Sequence, residues 1–249
     1  GETTDGPVAF MHRPTGTLNS DAPLGHHVGQ DAGHISSTVM GGSLKWGNSR
    51  FELSTFHGEE PKPSEIDLPM GNPNSAGGRW IQEWNPDFLT VISLAYLHHP
   101  EHDEPSLDHQ WRFSGSLYHH FSISEDWELH HAFIYGGISS YDNTQFLNSF
   151  LEEFWLTKGG PNFWGRIEVL QRTPDELHIA TTTDSNQRLW VSAMTLGYTH
   201  YLADFEGVTL GVGASVTKDF LPEQLSLSYG GSPWSGKVFL QLKGMRMWH

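Results

Sequence analysis

The stretch "GVTLGVGASVT", residues 207–217, decides how this chain is read. Its even positions are Val208, Leu210, Val212, Ala214 and Val216, and its odd positions are Gly, Thr or Ser. A period of two puts these sets on opposite faces of a strand, one apolar and one small and polar. The alternation recurs at 110–120, where Trp111, Phe113 and Leu117 oppose Arg112, Ser114 and Ser116. It recurs again at 126–135 and from Lys237 onward. The pattern repeats over eleven strands: 36–46, 50–58, 77–84, 89–98, 109–120, 126–138, 147–157, 162–173, 190–202, 206–217 and 236–246. Most run to about ten residues, the length that crosses a bilayer at a tilt. Strands of globular proteins average about five or six.

The connections point the same way. Short ones fall near 47–49, 85–88, 121–125, 158–161 and 203–205; long ones fall near 59–76, 99–108, 139–146, 174–189 and 218–235. They alternate without exception, as tight periplasmic turns and longer outer loops do in outer-membrane barrels. Trp46, Trp84, Trp127, Trp164 and Trp248 lie near the short-turn ends, where an interfacial aromatic girdle is expected. The expected fold is therefore all-β, an antiparallel up-and-down transmembrane β-barrel in a Gram-negative-type outer membrane, with lipid as its surroundings.

Composition bounds the function. The formal charge is −15, which excludes nucleic acid as a partner, since phosphate needs positive charge. There is no Cys, so neither disulfides nor thiolate metal sites arise. Domain organisation reads as an outer loop segment over 1–33 and a barrel over 34–249. An even strand count is the rule for such barrels, and eleven is odd. Either Pro7–Arg13 is a twelfth strand, or an additional N-terminal barrel segment or a partner chain completes the barrel.

The motifs "GPVAFMHRPTG" (6–16), "DAPLGHH" (21–27), "GHIS" (33–36) and "FHGEEP" (56–61) resemble, in order and spacing, an uncharacterised family of bacterial outer-membrane barrel proteins. Glu59 stands where that family usually has Arg, and Gly33 where Thr is usual. The resemblance implies the barrel and extends over most of the chain. It carries over no catalytic residue.

The topology gathers histidines, of which there are sixteen, at the long-loop end. His26, His27, His34, His57, His98, His99 and His102 are expected there beside Glu60 and other carboxylates. Neutral imidazole with carboxylate suits Zn²⁺, Cu²⁺ or Ni²⁺, so the group is a candidate divalent-metal site, with a solvated hydrogen-bonded rim as the plainer reading. No other cofactor is indicated. A second set, Arg112, His120, Glu128 and His130, falls in the polar phase of its strands and is expected to face the lumen. The functional expectation is a porin-like channel or transport barrel with an acidic, His-rich outer mouth. A structural or partner-binding barrel is the alternative. A lipid hydrolase using His34 and Ser36 is the third reading, weakened because Asn48, the orienting residue, lies roughly 30 Å along the strand.

Overall fold

The computed structural model describes residues 2–17, 22–24, 28–33, 36–60, 70–101, 107–140, 143–174, 176–177, 179, 184, 187–205 and 207–244. Among these described residues eleven strands form one antiparallel sheet in which every strand pairs with its sequence neighbours. They are β1 (Met40–Trp46), β2 (Ser49–Phe56), β3 (Ser75–Asn85), β4 (Phe88–His98), β5 (His109–Ser122) and β6 (Glu128–Ser139). Then follow β7 (Phe146–Thr157), β8 (Pro161–Arg172), β9 (Leu189–Phe205), β10 (Val208–Phe220) and β11 (Trp234–Gly244). Each expected strand is present. The first is shorter than expected, because residues 36–39 precede it without strand pairing. Gly47 suits the two-residue β1–β2 turn: its φ of +58° is cheap for glycine and, among residues with a Cβ, tolerated best by Asn or Asp.

Up-and-down order puts all short connections at one end of the sheet and all long ones at the other. It also makes β1 and β11 run in the same direction. Among the described residues β1 pairs only with β2, and β11 only with β10, so the sheet is not closed.

The two faces are opposite in chemistry. Ile92 and Leu94, mid-β4, are 55% and 57% exposed, while Arg112, Arg166, Glu153 and Glu168 are at most 5% exposed. Val208, Val212 and Val216 stand outward with Trp111, and Thr217 and Arg112 are buried on the other side. A water-soluble sheet would place these sets the other way round. Polar side chains on the outer face are mutually bonded. Tyr135 donates to Asn148 (2.7 Å), which donates to Gln171 (2.8 Å), and His131 pairs with Glu152.

What covers the inner face is the N-terminal segment. Pro7–Arg13 forms no strand: Phe10–His12 is a 3-10 turn followed by the helical turn Pro14–Thr17. Proline at 7 and 14 removes two backbone donors that a ladder would need. The described part of 1–33 is thus no outer loop. Thr4 N bonds Ser54 Oγ of β2 (3.0 Å), and Ser149 of β7 donates to the Val28 carbonyl, so one segment spans the inner face from β2 to β7. Close approach is allowed by glycines: a Cβ on Gly136 would strike the Gly29 backbone, and one on Gly77 would meet the Thr4 carbonyl at 3.0 Å. At the long-loop end Val28 joins Ile138, Leu147, Leu170, Leu189, Val191 and Leu225 in the main apolar core. Leu177 and Ile179, from the β8–β9 connection, pack on it. That core lies at one end; further along, the inner face mixes buried Arg, Glu and Ser with aliphatic Val91, Ile134 and Leu151.

Candidate functional site

Among the described residues four arginines dominate the inner face, and each meets a carboxylate. On β3, Arg79 donates to Glu52 (2.7 Å) and to Glu2 of the segment (3.0 Å). On β5, Arg112 donates to Asp5 (3.3 Å), Glu60 (3.1 Å) and Gln110 (2.8 Å). On β8, Arg166 pairs with Glu153 and donates to Glu168 (2.7 Å). The fourth comes from the segment itself. Arg13 reaches Glu153 of β7 through Nε (3.1 Å) and Nη2 (3.2 Å), and donates through Nη1 to the Val8 (2.8 Å) and Gln30 (3.0 Å) carbonyls. Thr15 adds a bond to Glu153 (2.8 Å). Burial by itself would pull the Arg13 guanidinium down, but the adjacent Glu153 carboxylate holds it above its ordinary range. Such a network stabilises only when every charge is matched, because desolvation of each ion costs several kcal/mol. Here Arg79 and Arg166 have carboxylate partners on the sheet itself, while the segment adds Glu2 and Asp5 to Arg79 and Arg112 and brings Arg13 to Glu153, so Arg13 finds its carboxylate partner at short distance only when docked.

Sequence reasoning named Arg112 but passed over Arg13, Glu153, Arg166 and Glu168. A signal was present: Glu153, Arg166 and Glu168 share the inward phase of β7 and β8, as the pairs Glu153↔Arg166 and Leu151↔Glu168 show. Arg13 carried no such signal, since only tertiary docking buries it.

The segment leaves the short-turn end of β7–β11 unfilled. A cavity of about 570 Å³ opens there, lined by Glu128, Trp155, Asn162, Tyr201, Thr209 and Lys243. A second, of about 270 Å³, lies between the segment and β4–β6, beside Arg13, Tyr118, His120 and His130.

The histidines separate into two groups. Of the expected mouth set, His26, His27, His34 and His102 lie outside the described residues. His98 and His99 come together with Asp108 at the long-loop end, their donor atoms within 4.8 Å of one another. His57 instead sits with Glu59 (3.5 Å), and Glu60 is drawn to Arg112. His57 and Glu60 therefore do not join His98 and His99 in one donor group; buried guanidinium competes for the Glu60 carboxylate and wins it. Ser36 precedes β1 and so is not on a strand.

At the opposite end His120, Glu128 and His130 stand together on the inner face, placed by the registers His120↔His130 and Ser122↔Glu128. The two imidazoles stack at 4.7 Å, and His130 stacks in turn on Trp155 at 4.7 Å. Of the expected aromatic girdle, Trp46 and Trp84 are exposed at short-turn ends. Trp164 instead points inward beneath Gly197 and donates to Thr199 (3.1 Å). Its place in the polar phase of β8 decides that. Trp248 lies outside the described residues.

The class that fold and interior define is an eleven-stranded antiparallel up-and-down sheet built around its own N-terminal segment. No protein-family model, no curated protein and no solved structure matches the chain.

Proposed function

We propose that this chain is a membrane-spanning β-barrel protein of a Gram-negative-type outer membrane, plugged from within by its N-terminal segment. The observation that carries the reading is the inverted sheet, with apolar side chains outward along the strands and matched buried charge inward. A bilayer supplies the apolar medium that the outer face needs, at roughly 25 cal/mol per Å² of apolar surface covered. The motif resemblance agrees with this reading. Closing the barrel must respect strand direction. Since β1 and β11 are co-directional, they join either by a parallel seam or through an odd number of further strands.

The plug separates two transport readings. A wide, always-open porin is disfavoured, because described residues of the N-terminal segment, among them Thr4, Arg13 and Val28, are bonded to the inner face from β2 to β7. A gated barrel fits better, in which solute passes beside β9–β11 through the space that opens as the 570 Å³ cavity, or passes after the segment moves. Reconstitution into planar bilayers is the test. The wild type should conduct weakly, and a variant with Glu153 replaced by Ala should conduct more or flicker open. Failure to enter lipid vesicles would refute the membrane reading. Insertion with no current from either protein would leave a structural or partner-binding barrel.

A further inference from the structure

We propose that His120, Glu128 and His130 form a binding site for a divalent transition-metal ion of the Zn²⁺ class at the short-turn end of the inner face. The site goes beyond the barrel reading and does not depend on it, because the β5–β6 hairpin and the β3–β4 turn place every group. Glu128 Oε2 lies 3.9 Å from His120 Nε2 and 3.8 Å from His130 Nε2. All three donor atoms fall within 4.8 Å of one another. Tetrahedral zinc with bonds of about 2.0–2.1 Å holds its donors about 3.3 Å apart, so a contraction of about 0.6 Å at each Glu128 distance and of at most about 1.5 Å between the imidazoles closes the site.

Two further observations point to a ligand. His120 Nε2 is buried and makes no hydrogen bond. Its other nitrogen, Nδ1, is 3.1 Å from Asp87 Oδ1. A carboxylate accepting from Nδ1–H fixes the tautomer in which Nε2 carries the lone pair, aimed at Glu128 and His130. Carboxylate–histidine–metal is the usual arrangement of a metal-binding imidazole and its supporting group. Asp87 is itself held, since its carbonyl accepts from the His120 amide (2.8 Å) and its own amide bonds Asn85 (2.9 Å). Trp155 stacked on His130 restrains the second ring. Three protein donors leave a fourth position open, and cavities border the site on two sides, one of them touching Glu128 and the other His120 and His130.

The His98–His99–Asp108 group lacks this support. Asp108 is drawn to three imidazoles at once, His98 (3.9 Å), His99 (3.4 Å) and His109 (3.4 Å), and the group sits exposed at the other end. It serves as the internal control.

The experiment is calorimetric titration of the folded, metal-stripped full chain with Zn²⁺, with Co²⁺ absorption as an independent readout. One strong equivalent is expected, giving the visible bands of a low-coordinate Co²⁺ centre. The His120→Ala/His130→Ala variant should lose affinity by about 100-fold or more, and Asp87→Asn by about 10–100-fold, the usual cost of losing a supporting carboxylate. A His98→Ala/His99→Ala variant should retain the strong equivalent. Should the double variant not fold, Glu128→Gln removes one ligand from a half-exposed position and should also abolish the Co²⁺ bands. Undiminished affinity in the His120/His130 or Glu128 variants, loss in the His98/His99 variant instead, or no binding by the wild type would overturn the assignment.

Discussion

Replacing Glu153 by Ala should free the N-terminal segment from the sheet. Glu153 is 1% exposed and receives Arg13 through two nitrogens, Thr15 through its hydroxyl, and Arg166. Its loss strands Arg13 most of all. Arg166 keeps Glu168 at 2.7 Å, while Arg13 keeps two carbonyls, the Phe10 ring and a longer contact to Asp31 at 3.8 Å. Removing one partner of a buried pair costs about 3–5 kcal/mol. At about 1.4 kcal/mol per tenfold, the undocked population rises by roughly two to three and a half orders of magnitude. That cost falls on docking rather than on the sheet, whose ladder hydrogen bonds are untouched. Hydrogen exchange measured by mass spectrometry reads it directly. Amides of Thr4 and Val8, bonded to Ser54 of β2 and Tyr118 of β5, should lose protection by about 100-fold or more. The amides of β5 and β6 should not. Glu153→Gln, which keeps an acceptor but no charge, should fall between. Unchanged protection of residues 2–17 in the Ala variant would refute the view that paired charge holds the segment. Equal loss across β5 and β6 would show that segment and sheet unfold as one.

Other perturbations test other parts of the argument. Ile92→Arg, on the outer face, should weaken folding into vesicles by about 2–4 kcal/mol, measured by denaturant titration in lipid, whereas Ser93→Ala on the inner face should cost far less. Gly136→Val drives a side chain into the Gly29 backbone and should undock the segment, seen as the same exchange signature that Glu153→Ala produces. Gly47→Val, at φ +58° with open space around it, should cost about 1–2 kcal/mol in thermal unfolding through backbone strain alone, and Gly47→Asn should recover most of that.

The period of two in 207–217 and its repeats determined the strands, their up-and-down order and the face on which each side chain stands. Alternation is a local property of extended backbone, and nearest-neighbour hairpins need nothing from distant sequence. The short-turn cluster follows from the same logic, because register across one hairpin sets His120 opposite His130 and Glu128 two residues away. Sequence could not say that Thr4, Arg13 and Val28 of the N-terminal segment dock on the polar face of the sheet. Pro7–Arg13 alternates well enough to pass for a strand, and only the complementary charge and the glycine gaps of the sheet draw it onto the polar face. Nor could it say that Glu60 belongs to Arg112 rather than to His57, since Arg112 lies on β5, fifty-two positions further along the chain. Pairing over such separations depends on which charges are buried together, and burial is decided by the tertiary structure.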